Sequence, residues 1–194
     1  MPELQFLYLF HNSLTGSIPA GVWGLKKLQM LYAFSNNLSG NLEVDGFAAA
    51  SLTSLALSGN NLSGTIPEVF GSLENLTLLY LNDNNFSGEI PVSMGRLPSL
   101  RVLRLRNNRL NGTLPPELGK HSPSLSDIDA DDNELTGAIP KGLCEGDTLN
   151  CPPVWEGNGF SVLWFRLTAK LPYVRIHGTS LARFADAPTS VAKQ

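Results

Sequence analysis

Closely spaced aspartates are the first residues in this sequence that could do chemistry. Asp127, Asp129 and Asp131 alternate along the chain as the first three ligands of a calcium-binding loop do. That loop also requires a glycine, where this sequence has Asp132, and a closing glutamate, where it has Ala138. The spacing therefore argues against a calcium site, and we expect neither a metal nor a cofactor.

Other residues with catalytic potential are equally isolated. The segment GNGFSV at 157–162 begins like the glycine-rich loop of a kinase, but the third glycine is missing and no V-A-I-K, H-R-D or D-F-G motif follows. The histidines His11, His121 and His177 are too scattered for a catalytic triad or a zinc site. We therefore expect a protein that is not an enzyme.

A repeat that runs through most of the chain positions these residues. Five segments share the residue order of Leu79 to Pro91, LYLNDNNFSGEIP, and a sixth has Glu43 in place of the proline. The opening leucines are spaced by 24 residues, with one step of 25, at Leu4, Leu28, Leu52, Leu76, Leu100 and Leu125. This period with L-x-x-L-x-L-x-x-N is the signature of a leucine-rich repeat. We predict an α/β-type solenoid of about six coils over residues 1–143, with a parallel concave sheet, and a non-repeat, partly disordered tail at 144–194.

The recurring polar and special residues are explained by the coil itself. Asparagines follow each strand and can satisfy backbone groups that the bend would otherwise bury unpaired, at Asn12, Asn36, Asn60, Asn84, Asn108 and Asn133. Glycines permit a backbone conformation that is costly elsewhere, at Gly16, Gly40, Gly64, Gly88, Gly112 and Gly137. The Ile-Pro step predicts an extended turn toward the outer side.

Function is expected on the concave face, because alternate strand residues point away from the core and solenoids bind partners there. The candidate ligand-binding residues are Phe6, Tyr8, Phe10, Met30, Tyr32, Phe34, Tyr80, Asn82, Arg104, Arg106, Asp129 and Asp131. The scaffold does not need the first six, whose apolar patch over two coils is typical of an interaction surface. The alternative is that further N-terminal coils or a glycan cover the patch.

Charged residues on the same face allow two interpretations. Arg104 and Arg106 lie one strand, about 4.8 Å, from Asp129 and Asp131. They can form a cross-strand charge ladder, worth about 0.5 kcal/mol per exposed pair. Alternatively, the arginines can receive the carboxylate of a peptide. The sequence leaves both open.

The full consensus, L-x-x-L-x-L-x-x-N-x-L-[ST]-G-x-I-P, resembles the plant type of leucine-rich repeat, typical of the ectodomains of receptor-like kinases. The stretch NGTLPPELGKHSPSLSDIDADDNELTGAIPKGLC, Asn111 to Cys144, is similar to the HAESA-like peptide-hormone receptors. The resemblance implies a secreted peptide or protein ligand, room for a co-receptor, and a parent protein with an intracellular kinase domain. Receptors of that group hold the ligand's C-terminus with an Arg-x-Arg pair, but Arg104 and Arg106 are shifted by two residues, so we do not assign them that role.

The N-glycosylation sequons and the two cysteines give information about the cellular compartment of the protein. The pattern for N-glycosylation occurs at Asn37, Asn61, Asn75, Asn85 and Asn111, which predicts an extracellular parent at the plasma membrane. Cys144 and Cys151 either form a disulfide across a short loop or remain free thiols. No run of 18 apolar residues offers a membrane span, and no signal segment precedes the first repeat, so the location of this chain itself is left open.

Charge separates the two parts of the chain. Residues 152–194 hold five basic and two acidic residues, a net charge of +3, which leaves −6 for residues 1–151. The small total of −3 does not favour a nucleic-acid partner. Two function classes remain: a ligand-binding fragment of a receptor-like kinase ectodomain in cell-surface signalling, and a secreted leucine-rich repeat protein that binds another protein, such as a pathogen enzyme. Because the tail has no repeat, the sequence predicts that its deletion leaves the solenoid nearly as stable.

Overall fold

Each sequence repeat folds into one coil, and the coils stack in chain order. The computed structural model describes residues 3–137 and 139–143, together with the backbone of two strands at 163–165 and 173–176. The segments GNGFSV, Cys144 and Cys151 lie outside the described residues.

The coils contribute strands to two sheets, in each of which they pair in parallel from coil to coil. Along the chain, strands β1–β11 belong alternately to the first and the second sheet. The concave sheet takes one strand from the inner side of each coil: β1 Phe6–Tyr8, β3 Met30–Tyr32, β5 Ser54–Ala56, β7 Leu78–Tyr80, β9 Val102–Arg104 and β11 Asp127–Asp129. Equivalent residues of successive coils are register partners, as Leu7, Leu31 and Leu55 show. The predicted solenoid and its parallel concave sheet are confirmed.

The second sheet forms after each asparagine turn, where the chain leaves the concave side. Its strands are β2 Thr15–Gly16, β4 Asn37–Asn41, β6 Asn61–Gly64, β8 Asn85–Glu89 and β10 Arg109–Asn111. They pair in parallel from coil to coil, in the order β10-β8-β6-β4-β2. The repeat consensus did not predict this sheet.

Two strands from beyond the repeats continue the concave sheet. Strand β13, Tyr173–Ile176, pairs in parallel with β11, and Tyr173 is the register partner of Asp127. Strand β12, Leu163–Phe165, is antiparallel to β13. In the described part of the chain the sheet therefore has eight strands, in the order β1-β3-β5-β7-β9-β11-β13-β12.

On the outer side, short 3-10 helices follow Ile-Pro steps. Their bounds are Ala20–Val22, Glu68–Ser72, Val92–Arg96 and Lys141–Leu143. Pro19 and Pro67 precede such turns with extended backbone, φ −61° and −63°, as the sequence predicts. Coil 2 has Glu43 in place of proline and forms no 3-10 helix there; its outer segment is held by the Ala48 N–H, which donates to the Trp23 carbonyl at 2.8 Å.

The core is one continuous stack of leucines between the sheets and the outer turns. Trp23, Phe70 and Phe86 are its largest fully buried side chains. The inner side of the first coil is less well covered than that of later coils, since Leu7 and Leu9 are only half-buried and Leu14 is exposed.

The asparagines satisfy backbone groups, as predicted, and the structure shows that most of them do so in two neighbouring coils. The Asn84 side-chain amide donates to the Leu57 carbonyl of the previous coil at 3.0 Å and to the Leu81 carbonyl of its own coil at 3.2 Å. Its oxygen accepts from the Leu62 N–H at 3.0 Å. Asn36, Asn60, Asn108 and Asn133 repeat the pattern. Each of these five asparagines therefore satisfies backbone groups of two coils.

Left-handed backbone recurs at two places in the coil. The six predicted glycines all have positive φ, between +72° and +82°. A second column, just after the concave strand, was not predicted: His11, Ser35, Asp83, Asn107 and Asp132 have φ between 52° and 56°, and Gly59 has 63°. The chain turns sharply off the concave strand at this column, and most of its members are residues other than glycine.

Candidate ligand-binding surface

The aromatic patch, defined as Phe6, Tyr8, Phe10, Met30, Tyr32 and Phe34, lies at the first two strands of the concave sheet. Phe6, Tyr8 and Phe10 are 46%, 52% and 39% exposed. The rings of Phe10 and Phe34 are parallel with centroids 4.8 Å apart, and those of Tyr8 and Tyr32 are stacked at 5.2 Å. These rings come together because equivalent positions of adjacent coils are register partners.

Two contacts hold the patch in place at its edges. The Tyr8 hydroxyl donates to the Met30 sulfur at 3.2 Å. The His11 ring stands edge-on to Phe34, with centroids 5.1 Å apart. The patch is therefore an ordered apolar surface with exposed ring faces, which suits it to contact with a partner.

Beside the patch, coil 3 presents only short side chains on the concave face. Its outward residues are Ser54, Ala56 and Ser58, and the first two are only 2% exposed. The Ser54 hydroxyl donates to the Tyr32 phenol oxygen at 3.1 Å, which places the Tyr32 hydroxyl beside Ser54. A larger side chain at Ser54 or Ala56 would compete with the neighbouring tyrosines for this space.

Charged groups begin in coil 5. The Arg104 guanidinium lies 5.8 Å from the centroid of the Tyr80 ring and forms an ion pair with Asp127. Partial burial alone would lower the pKa of Arg104, but the hydrogen bond to Asp127 and the charges of Asp127 and Asp129 outweigh it and raise the pKa. Arg104 is thus held as a cation that already has a carboxylate partner.

Arg106 also pairs with an aspartate, at 3.3 Å from the Asp132 carboxylate. The expected partners, Asp129 for Arg104 and Asp131 for Arg106, are therefore not the ones that form these ion pairs. Arg104 and Asp129 are register partners along the backbone. The long arginine side chains, however, reach carboxylates away from the position directly opposite. A cross-strand charge network exists, with Asp127 and Asp132 as its acceptors.

The remaining predicted residues lie at the same end of the face. Asp129 is nearly buried and Asp131 is half-buried, and the Asp131 N–H lies 3.4 Å from an Asp129 carboxylate oxygen. The Asn82 amide donates to Asp83 at 2.7 Å, and so does Asn107 at 3.0 Å.

Over coils 4–6 the concave face and its edge are acidic. Five aspartates, Asp83, Asp127, Asp129, Asp131 and Asp132, stand against Arg104 and Arg106, a net charge of −3. Arg175 is the register partner of Asp129 on β13.

Sequence reasoning missed His11 and Asp132 as members of this surface, and it did not select Ser54 and Asp127 as ligand-binding residues. Ser54 and Asp127 occupy the strand position that Phe6 and Met30 occupy in the first two coils, so the repeat alone places them on the concave face. His11 and Asp132 occupy the left-handed column, for which the only sequence signals are Gly59 and the aspartates and asparagine at equivalent positions.

The other predicted sites are distributed around the coil. Asn37, Asn61, Asn75 and Asn111 are exposed, whereas Asn85 is half-buried and donates to the Asn61 side-chain oxygen at 2.5 Å. Among the described residues, no three acidic, histidine or cysteine side chains are grouped as metal ligands. Nor does any described helix have the length and hydrophobicity that crossing a bilayer requires.

Comparisons with known proteins agree with this architecture. The leucine-rich repeat family matches residues 50–110, and a second leucine-rich repeat family matches residues 3–25. A comparison with curated proteins found no match.

Several of the solved structures that resemble the chain are ectodomains of plant receptor kinases. The ectodomain of the Arabidopsis thaliana membrane receptor kinase GASSHO1/SCHENGEN3, in complex with CASPARIAN STRIP INTEGRITY FACTOR 2, is 34% identical with a TM-score of 0.69, over 73% of this chain and 17% of that one. The Arabidopsis receptor kinase HAESA, in complex with the peptide hormone IDA and the co-receptor SERK1, is 37% identical with a TM-score of 0.69, over 72% and 23%.

A shorter structure matches over most of its own length. The BIR3–SERK2 complex from Arabidopsis thaliana is 36% identical with a TM-score of 0.56, over 68% of this chain and 69% of that chain. By contrast, this chain spans less than a quarter of the GASSHO1/SCHENGEN3 and HAESA chains.

Proposed function

The chain belongs to the leucine-rich repeat family, and on that premise we propose that it is a segment of a plant receptor ectodomain that recognises a secreted peptide or protein on its concave face. The aromatic patch carries this proposal. Phe6, Tyr8 and Phe10 expose large apolar side chains at positions where the scaffold needs none. Exposed aromatic clusters of this kind are typical of binding surfaces.

The similar structures support the same use of the fold. One of them is a complex with CASPARIAN STRIP INTEGRITY FACTOR 2, and another is a complex with the peptide hormone IDA and the co-receptor SERK1. We propose an equivalent role for this chain, as a segment of an ectodomain in cell-surface signalling, with a kinase domain in the parent protein.

An extracellular setting follows from that role, and the sequons provide a way to examine it. We propose glycosylation at Asn37, Asn61, Asn75 and Asn111, which are exposed. Asn85 is a poorer acceptor, because its amide nitrogen lies within hydrogen-bonding distance of Asn61. Mass spectrometry of the protein secreted from plant cells should find glycans at Asn75 and Asn111, and an unmodified protein would count against this setting.

Binding should be measured by calorimetry against secreted plant peptides, including CASPARIAN STRIP INTEGRITY FACTOR 2 and IDA. We expect Tyr8→Ala and Tyr32→Ala each to weaken binding at least about tenfold, because both rings would be central contacts. Val92→Ala is the matched control, since Val92 is an exposed apolar residue, 53% accessible, on an outer turn. Thermal melts should establish that every variant is folded.

Two results would contradict the proposal. Binding that survives both tyrosine substitutions would place the site elsewhere on the molecule. Equal weakening by Val92→Ala would show that the loss reflects general apolar contact and not the concave patch.

A further inference from the structure

We propose that Met30 is a peroxide-sensitive modification site within the ligand-binding surface, and that its conversion to methionine sulfoxide lowers the affinity of the aromatic patch for apolar ligands. The inference rests on the proposed function, because it assigns a chemical regulation to the same surface. It adds the reactive atom, the class of reagent that modifies it, and the direction of the effect on binding.

The sulfur of Met30 lies at the surface of the molecule. Met30 is half-buried on β3, and its sulfur accepts a hydrogen bond from the Tyr8 hydroxyl at 3.2 Å, a contact at the exposed surface. Tyr8 itself is 52% exposed. The sulfur therefore points toward an exposed ring and not into the leucine core, where a small polar oxidant can reach it.

A second methionine provides the contrast. Met94 lies on the outer 3-10 helix Val92–Arg96 and is fully buried in the leucine core. Oxidation of Met94 requires that part of the coil to open first, whereas oxidation of Met30 requires no opening. Among the methionines in the described part of the chain, the fold therefore separates an accessible sulfur from a protected one.

The reaction with hydrogen peroxide transfers one oxygen atom to the thioether. A lone pair of the Met30 sulfur attacks one peroxide oxygen, the O–O bond breaks, and the proton on the attacked oxygen passes to the leaving hydroxide, so that water is released. The sulfur is oxidised by two electrons and the peroxide is reduced by two. The reaction therefore needs no reactant other than the peroxide.

The product changes the chemistry of the patch from within. In the sheet register, Met30 lies between Phe6 of β1 and Ser54 of β5. Its thioether is apolar and adapts its shape to a neighbouring side chain. A sulfoxide is polar and has to lose water when an apolar group covers it. Because the Tyr8 hydroxyl already lies beside the sulfur, it can donate to the new oxygen and keep the polar group within the patch.

Mass spectrometry of the folded chain after graded exposure to hydrogen peroxide measures the selectivity. We expect Met30 to gain one oxygen at least about tenfold faster than Met94, measured in proteolytic peptides that separate the two residues. In urea, where the core is open, the two rates should agree within about twofold. Equal rates in the folded chain, or slower oxidation of Met30, would overturn the assignment of the site.

The effect on binding is measured with anilinonaphthalene sulfonate, a dye that becomes fluorescent on exposed apolar surface. We expect Tyr8→Ala to weaken dye binding, which identifies the contribution of the patch. Peroxide treatment of the parent should raise the Kd of this contribution at least about threefold, because the ligand must cover a polar group. Met30→Gln, which introduces a polar side chain of similar length, should raise the Kd without peroxide.

Two variants isolate the sulfur of Met30 from every other oxidised group. Met30→Leu removes this sulfur, and Leu suits the position because Leu78 occupies the equivalent place in coil 4. Its own Kd before treatment is the reference, and peroxide should change that value by less than about 1.5-fold. Met94→Leu is the matched control in the core and should keep the full response to peroxide.

The outcomes separate this inference from the proposed function. Selective oxidation of Met30 with an unchanged Kd, or an equal response to peroxide in Met30→Leu, would overturn the regulation and leave the concave site standing. Dye binding that is indifferent to Tyr8→Ala would overturn the patch as a binding surface, and this inference with it. The mass spectrometry does not depend on which secreted peptide the chain recognises, so failure of a tested peptide to bind leaves its result valid.

Discussion

At the scale of single residues, the coil depends on one side chain that serves two neighbours. Asn84 is 8% exposed and makes four hydrogen bonds to backbone groups, including those with Leu57 and Leu62 of the previous coil. Asn12 occupies the same place in coil 1, but it is exposed and donates only to Leu9 and Phe10 of its own coil. The same residue type therefore has different energetic importance at the two positions.

Asn84→Ala should lower the free energy of unfolding by about 1–3 kcal/mol, because buried backbone groups would lose their partners. Asn12→Ala is the matched control and should cost less than about 1 kcal/mol, since water reaches the groups that it serves. Leu81→Ala, which opens a cavity in the core, should cost about 2–5 kcal/mol. Urea denaturation of the three variants measures these values, and equal losses for the two asparagines would refute the two-coil role.

The left-handed column gives a second prediction at this scale. Gly59 has φ 63°, and a Cβ there would meet nothing closer than 3.6 Å, so backbone conformation alone decides the cost of substitution. Gly59→Val should destabilise the fold by about 1–2 kcal/mol. Gly59→Asn should cost clearly less, since Asn107 adopts this conformation in coil 5. Thermal melts compare the two, and equal losses would mean that side-chain bulk matters more than φ.

At the scale of elements, the outer turns stack on one another as closely as the strands do. The 3-10 helices Glu68–Ser72 and Val92–Arg96 pack together, and a Cβ on Gly71 would lie 2.3 Å from the Cβ of Ser93. Gly21 occupies the first outer turn, where a Cβ would meet nothing within 4 Å. The stacking of the outer turns therefore requires glycine at position 71, whereas a larger residue would also fit at position 21.

Gly71→Ala should destabilise the solenoid by about 1–3 kcal/mol through overpacking against coil 4. Gly21→Ala should be neutral or slightly stabilising. Adding Ser93→Gly should restore only part of the loss, because the backbone carbonyl carbon of Ser93 also lies 2.8 Å from the new Cβ. If Gly71→Ala melts like the parent, the two turns are not packed this closely.

At the scale of the whole molecule, the length of the concave face limits what the chain can bind. The six strands β1 to β11 of the concave sheet span about 24 Å, which accommodates roughly seven extended residues. We therefore expect this chain alone to bind a peptide of about a dozen residues weakly, with Kd above about 10 µM, mainly through Tyr8, Tyr32, Phe34 and Tyr80. Calorimetry measures this, and nanomolar affinity would contradict the size argument.

The far end of the sheet gives the second prediction at this scale. Strand β13 pairs with β11, so deletion of residues 152–194 leaves β11 as an open edge. We expect a melting temperature several degrees lower, since about 1 kcal/mol shifts it by about 2–4 °C in a chain of this size. Deletion of residues 177–194, beyond the last paired strand, is the control and should change it little. An unchanged melt for the longer deletion would support the expectation drawn from the absence of a seventh repeat.

The sequence by itself determined the architecture: the number of coils, their inner leucines, the asparagines that satisfy backbone groups at each bend, and the alternate strand positions that point out of the concave sheet. It could do so because each coil makes its contacts with residues one repeat away, so a pattern along the chain is also a pattern of tertiary neighbours. Phe10 and Phe34 were placed side by side on this basis, and their rings are stacked.

Only the tertiary structure decided which side chains pair and which are covered. Register made Asp129 the backbone partner of Arg104, yet the ion pair forms with Asp127, because a long side chain can reach carboxylates other than the one directly opposite. The burial of Ser54 depends on the size of its neighbours, and the pairing of β13 with β11 follows no repeat pattern. These features depend on side-chain direction and on contacts between different segments, which a repeat period does not specify.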